Sequence, residues 1–313
     1  MLGYREAGTL FISSPARNLY NRRQVYISRE VIILAKIKIV TDSTSDMPKE
    51  LIEKYGIEIV PLSITVGGET YTDGVDISPV QFLGKMKQTP ELPKSSQPST
   101  GAFLEVYDRL GNEGYDVLSI HMTGKMSGTV RSAESAAQMT AAKVTVVDSK
   151  FISKALGFQV KEAAIMANEG KSMDEILARL KAIQENSRLY IMVDTLENLV
   201  KGGRIGKGRA FLGSLLNIKP IASLEGAEYN PVTKVRSHTQ VVKFLAKQFA
   251  EDVAGKTIKG VGIAHAGAID LAEKIKENIY ELTGYEGVET DYTNSTVSTH
   301  TGPGAIALMY YFE

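Results

Sequence analysis

The run Lys36-Ile37-Lys38-Ile39-Val40-Thr41 alternates polar and β-branched residues, then breaks into Asp42-Ser43-Thr44-Ser45-Asp46. Immediately after it, Pro48, Leu51, Ile52, Tyr55 and Gly56 mark the first turn, the apolar face and the stop of a helix. A strand, a polar loop and an amphipathic helix in succession can bury their apolar sides only by laying the helix on a sheet, so this unit commits the chain to an α/β fold. The unit recurs. Ile57 to Val66 reads as extended chain, and Ser78 caps a helix with Pro79 at its first position and Gln81 completing a capping box. Helices from about Thr100 to Leu110 and Thr129 to Thr140 alternate with strands Asp116 to His121 and Val144 to Val147. A helical region then reaches Asn168, and Ser172-Met173-Asp174-Glu175 is a second capping box, opening a helix with Ile176, Leu177, Leu180 and Ile183 on its apolar face.

The repeats predict an N-terminal α/β/α domain with a parallel sheet over residues 36–170. Beyond it the rhythm changes. Strand-like runs at Leu189 to Val193, Ile218 to Leu224, Glu228-Tyr229, Gly260 to His265, Val288 to Tyr292 and Ile306 to Phe312 mix with fewer helices, and Glu225-Gly226-Ala227-Glu228 reads as a hairpin turn. Residues 171–313 are therefore expected to form a second lobe with a mixed sheet, and a chain of 313 residues is long enough for two cores with a ligand site where they meet. Residues 1–35 differ from the rest, with Arg17, Arg22, Arg23 and Arg29 against Glu6 and Glu30 and no strand or helix period. They read as a disordered extension, a transit peptide being the alternative.

Composition narrows the function by exclusion. Lys plus Arg equals Asp plus Glu at 36 each, so no global field draws the chain to nucleic acid or to an anionic membrane. Without cysteine there is no disulfide, no thiolate nucleophile and no thiolate metal site, and no stretch approaches the ~20 apolar residues of a membrane span. A cytoplasmic protein without metal or cofactor is the expectation.

Ligands collect beyond the carboxyl ends of strands in open α/β sheets, and the loops expected there are rich in hydroxyls: Thr41 to Thr44, Lys94 to Ser99, Met122 to Thr129 and Asp148-Ser149. Such loops suit a carboxylate or phosphate head, although serine and threonine are also ordinary helix caps. The basic stretch Lys201-Gly202-Gly203-Arg204-Ile205-Gly206-Lys207-Gly208-Arg209 has neither the spacing of a phosphate-binding P-loop nor that of a dinucleotide fingerprint, and it suits a loop that docks on a partner. Near the C-terminus, Ser298-Thr299-His300-Thr301-Gly302-Pro303-Gly304-Ala305-Ile306 sets one of four histidines beside a glycine-proline turn. That setting fits a polar ligand or a hydrogen-bonded turn histidine.

Taken in order, VTDSTSDMP, SSQPSTG, MTGKMSGTVRSA, VVDSK, LENLVKGGRIGKGRAFLGSLLNIKPI and HTGPGAI resemble the DegV family, which includes the fatty-acid-binding subunits of bacterial fatty acid kinase, from about residue 36 to the C-terminus. The resemblance implies two α/β lobes with a ligand tunnel between them holding a long-chain fatty acid. Its carboxylate would lie at Ser95, Ser96, Thr123, Gly124, Ser127 and His300. Arg204, with Lys201 and Arg209, would dock the ATP-dependent kinase subunit that phosphorylates the bound acid. Two positions depart from the pattern: Ser95 replaces the usual threonine, and Gly124 replaces a frequent serine.

Two other readings compete. A serine hydrolase of acyl esters would use Ser99 or Ser127 with His300 and Asp42, although Gly124-Lys125-Met126-Ser127-Gly128 puts two residues where a nucleophile elbow has one. A small-metabolite-binding regulator would have a polar cavity instead of a tunnel.

Overall fold

In the structure, a computed structural model that describes residues 36–211 and 218–313, Lys36–Asp42 forms a strand flanked on both sides by parallel neighbours. The expectations placed on residues 1–35 lie outside the described residues. The order in this first sheet is Glu58–Val60, Lys36–Asp42, Tyr115–His121, Val144–Asp148, every pair parallel, with Val40 facing Ser119 and His121 facing Asp148. Helices Thr100–Asn112 and Thr129–Met139 cover one face, packing Phe103, Tyr107, Leu110, Ala133 and Ala136 on Val40, Val60 and Val117.

The second sheet has six strands in the order Glu228–Val235, Lys219–Glu225, Ser187–Met192, Ile306–Phe312, Ile258–His265, Val288–Tyr292. Only its last pair is parallel, so it is mixed, as the changed rhythm predicts. Helices His238–Val253 and Ile269–Thr283 bury Val241, Leu245, Phe249, Ile275 and Ile279 on its outer face. Between the sheets lie helices Ser153–Asn168 and Met173–Asn186, the latter opened by the expected Ser172–Glu175 capping box. One core runs unbroken from Ile39, Leu118 and Ile120 through Leu156, Val160, Ile176 and Leu180 to Leu189, Ile191, Met309 and Tyr311. No helix among the described residues is long and apolar enough to cross a membrane.

Three local expectations need correction. The extended stretch Ile57 to Val66 is broken at Pro61 into Glu58–Val60, which joins the first sheet, and Ser63–Val66, which joins a separate three-stranded antiparallel sheet with Glu69–Thr72 and Lys94–Ser96. Lys94–Ser96 is thus an edge strand, not a loop: pairing with Ser63 to Thr65 satisfies its backbone, so its short hydroxyl side chains suffice. His300 lies in the last turn of a helix, Ser295–Thr301, not in the glycine-proline turn that follows it.

That helix is held by two aspartates from the first half of the chain, Asp46 partly buried and Asp73 buried. Asp46, in the left-handed region at φ 46°, accepts at Oδ1 from the backbone N–H of Asn294 (2.8 Å) and its Nδ2 (2.7 Å), and at Oδ2 from the hydroxyls of Thr293 (2.7 Å) and Ser153. Asp73 accepts from the N–H groups of Ser295 (3.1 Å) and Thr296 (3.3 Å) and the hydroxyls of Thr296 (2.7 Å) and Ser43 (3.2 Å). Burial pushes both carboxyls above their ordinary range, against these hydrogen bonds. Asp73→Ala would leave several buried donors without an acceptor, so urea unfolding should show a loss of about 2–3 kcal/mol. Unchanged stability would mean that water replaces the carboxylate without cost.

Candidate functional site

A cavity of about 280 Å³ opens where the small sheet, the loop after Tyr115–His121 and the His300 helix meet. Its polar end is made by Ser95, Ser96, Gln97, Ser127, Arg204 and His300; its walls by Leu62, Met122, Met126, Ile152, Tyr229 and Val297. The size sits at the small end of the ~300–1,000 Å³ usual for small-molecule sites. Ile152, Val297 and Thr301 also bound a second void of about 20 Å³ whose other walls include Leu189, Ile191, Ala305 and Ala307. The apolar end therefore points toward the second sheet.

Ser95 and His300, 205 positions apart, meet directly: Ser95 Oγ lies 2.8 Å from His300 Nε2. His300 Nδ1 is buried without a partner. Gly202 packs so closely there that a Cβ on it would stand 2.5 Å from Nδ1. A buried N–H without an acceptor is costly, so the tautomer of lower energy carries its proton on Nε2 and donates to Ser95 Oγ. The Ser95 hydroxyl proton is then free to donate to a ligand. Burial, with the Arg204 guanidinium nearby, pushes the His300 pKa down to about 4, so the ring is neutral at physiological pH. Arg204 is fixed by its own bonds, Nε donating to the Met126 carbonyl (3.1 Å) and Nη1 to that of Gly202 (2.7 Å).

The remaining expected residues divide. Ser127 lines the cavity and shares a hydrogen bond with the Thr129 hydroxyl (2.8 Å). Thr123 and Gly124 do not reach it: the Thr123 hydroxyl donates to the Ala227 carbonyl (3.4 Å), and the Gly124 N–H donates to Asp148 Oδ2 (3.1 Å). A Cβ at Gly124 would stand 3.0 Å from that carboxylate, so a side chain there would require Asp148 to shift. Lys201 is exposed and paired with Glu197, and Arg209 is exposed in the 3-10 turn Gly206–Phe211. Neither lines the cavity, whereas Arg204, expected to face a partner, turns to the cavity's polar end.

The hydrolase constellation does not assemble. Asp42 accepts from His121 Nδ1 (3.1 Å), the Thr44 N–H and hydroxyl (3.0 and 2.6 Å) and the Met122 N–H (2.9 Å), far from any partnership with His300. Burial alone would raise its pKa, but His121, Thr44 and Met122 together hold it below the ordinary carboxylate range. His121 Nε2 meets Ser119 Oγ at 2.7 Å, so a Ser–His–Asp line does exist. It is sealed under Phe103 and Tyr107, all three members fully buried, and no substrate reaches it. Ser99 caps helix Thr100–Asn112, accepting from the Ala102 N–H.

Sequence reasoning did not single out Gln97, Tyr229 or Thr296. Gln97 donates through Nε2 to Ser132 Oγ (2.8 Å) and crowds Gly128, where a Cβ would stand 2.0 Å from Gln97 Oε1. Its neighbours in the SSQPSTG motif gave a signal; Tyr229, in a plain strand pattern, gave none.

The neutral ring has a measurable consequence. An unfolded chain takes up the His300 proton near ~6.5, the folded chain only near 4, so its contribution to stability is full above the first value and declines as pH falls through that window. Ring NMR of His300 should give a midpoint near 4, and His300→Gln should flatten the acid limb of the stability profile. A midpoint at or above ~6.5 would refute the assigned protonation state.

Comparison with known proteins identifies the family. Residues 36–313 match the family model described as "Uncharacterised protein, DegV family". A DegV domain-containing protein of Listeria monocytogenes is 42% identical over 281 residues, covering 90% of this chain and 100% of its own length, and one of Staphylococcus aureus is 38% identical over 276 residues, covering 88% and 99%. Among solved structures, a fatty-acid-binding DegV family protein from Thermus thermophilus superposes with TM-score 0.84 at 34% identity, covering 89% of this chain and 100% of that one. DegV of Bacillus subtilis, described as a fatty acid binding protein, gives 0.81 at 33% identity with the same coverage. On the match over residues 36–313 and these near full-length relatives, the chain belongs to the DegV family.

Proposed function

We propose that the chain binds one long-chain fatty acid in the cavity, with its carboxylate at Ser95, Ser96, Ser127 and His300 and its tail along Leu62, Met122, Met126, Ile152 and Val297, toward the void beside Leu189 and Ile191. The observation that carries this reading is the Ser95–His300 bond at the polar end of a cavity walled also by Leu62, Met122, Met126, Ile152 and Val297. A neutral imidazole donating to Ser95 leaves the serine proton for an anion, and Arg204 supplies the opposite charge. Thr123 and Gly124 act indirectly, by fixing the loop that presents Ser127. Each buried methylene of the tail contributes about 0.8 kcal/mol, which favours a long acid over a short one. Relatives solved from Thermus thermophilus and Bacillus subtilis are described as fatty acid binding, and this supports the same ligand class here.

The finer part of the proposal is that the bound acid is presented to an ATP-dependent fatty acid kinase subunit, in the cytoplasm, for acyl phosphate formation. Arg204 stands where head group and protein surface meet, with Lys201 and Arg209 exposed on the same segment as docking charges. The chain itself would bring neither nucleotide nor cofactor.

Protein purified from bacteria should release about one long-chain fatty acid per chain on organic extraction, read by mass spectrometry. Absence of lipid, with no uptake of added palmitate or oleate, would defeat the proposal. Ser95→Ala and His300→Ala should each weaken palmitate binding about tenfold by titration, the loss of one charge-assisted hydrogen bond. Gly202→Ala, at a residue that does not itself line the cavity, should do the same because its methyl would displace His300. Arg204→Ala should weaken palmitate binding through loss of the opposite charge and, at saturating lipid, slow acyl phosphate formation by a cognate kinase about tenfold, more so at low salt. Wild-type turnover at both low and high salt would remove Arg204 from the docking role.

A further inference from the structure

Tyr229 stands in the cavity wall, 3% exposed, on the strand Glu228–Val235. Its backbone is paired with Leu224, and Gly206 packs against its N–H and carbonyl so closely that a Cβ there would lie 3.4 and 3.5 Å from them. The backbone that carries the ring is thus fixed on both sides. Fully buried tyrosines elsewhere in the chain satisfy their hydroxyls within the protein: Tyr107 donates to Ser119 Oγ and Tyr310 to Asp252 Oδ2, each at 2.7 Å. Tyr229 has no such partner among the described residues. Burial alone raises its pKa well above the ordinary phenol value, so the group is a donor throughout the physiological range.

A donor fixed in the wall of a lipid cavity makes demands on what fills it. A plain methylene chain lying against the hydroxyl would remove it from water and give no acceptor in return, and sites built to bond an oxygen discriminate strongly against the analogue that lacks one. The carboxylate of the ligand is already provided for by Ser95, Ser96, Ser127 and Arg204 at the polar end, whereas Leu62, Ile152 and Val297 carry no polar side-chain atom and the hydroxyls of Thr296 and Thr301 are engaged with Asp73 Oδ2 and the Val297 carbonyl. We infer that the Tyr229 hydroxyl recognises an oxygen carried along the acyl chain, so that the preferred ligands are long-chain acids bearing a hydroxyl or keto group in addition to the carboxylate. This inference rests on the fatty acid reading above and adds a substrate class to it.

The test uses the full chain, delipidated, and a set of monohydroxystearates that differ only in the position of the hydroxyl, alongside stearate itself. At least one positional isomer should bind about tenfold tighter than stearate, and Tyr229→Phe, which keeps the ring and should leave the melting temperature unchanged, should bring the ratio of the two affinities to about one. Equal affinity for stearate and every hydroxystearate in the parent protein would overturn the inference and leave the fatty acid reading standing. Loss of affinity for stearate and hydroxystearates alike in Tyr229→Phe would also overturn it, since the hydroxyl would then serve the carboxylate. Failure of the parent protein to bind any of these acids would overturn both.

Discussion

The site depends on a grip exerted at long range: Asp46 and Asp73, both from the first half of the chain, hold the start of the helix that ends in His300. Ser295–Thr301 is seven residues of serine, threonine, valine and histidine, poor helix formers in a segment too short to persist alone. Its first turn is satisfied from outside, by Asn294 capping the Val297 N–H (2.8 Å) and by the two aspartates. Negative charge at a helix start is favourable in its own right. Ser43 extends the grip into the cavity wall, since its hydroxyl donates to Asp73 and accepts from the Leu62 N–H (3.2 Å). The pair Ser95–His300 therefore records the correct docking of two halves of the chain, and whatever loosens the aspartates loosens the polar end of the cavity.

Accessibility, more than residue type, decides the chemistry. Ser119, His121 and Asp42 have the composition and spacing of a nucleophilic triad, yet they are fully buried and serve to fix the loop that begins at Met122. Ser95 and His300 reach the cavity but have no carboxylate behind them, and Gly202 fills the place where one would stand. A histidine with no acidic partner and a depressed pKa cannot readily take up the serine proton; it can order a hydroxyl for binding. The arrangement suits holding an anion rather than cleaving an ester.

How much of this was legible in the sequence follows from how local each determinant is. The strands and helices of the first sheet were readable because periodicity, Pro79, Gly56 and the Ser78 and Ser172 capping boxes act within a few residues. The mixed sheet was readable from its strand runs and the Glu225 to Glu228 turn. Lys94–Ser96 was misread as a loop because its strand character comes from pairing with Ser63 to Thr65, more than 28 positions earlier. The His300 helix was missed for the same reason: its local cap, Asn294, and its first N–H groups are held by carboxylates at positions 46 and 73. Motif order located Ser95, Ser96, Ser127 and His300, but it could not separate them from Thr123 and Gly124, which share the loop of Ser127 and donate to Ala227 and Asp148 instead. Tyr229 lay outside every motif.

Several glycines shape the site by what they leave out. Gly302 and Gly304, at φ 79° and 84°, end the His300 helix in the left-handed region, and side chains there would collide with Asn198 and Asp194. Asn198 in turn donates to the Thr299 carbonyl (3.1 Å), so the turn after His300 is clamped to the segment that carries Gly202 and Arg204. Gly202 then lets that segment close on the imidazole, and Gly128 lets Gln97 lie across the start of its helix. Each position trades side-chain volume for a close approach between segments distant in sequence. A glycine-rich basic loop thus has a physical explanation that owes nothing to phosphate binding: its backbone must fit against a histidine, and its arginine must reach back to the Met126 carbonyl across the same narrow gap.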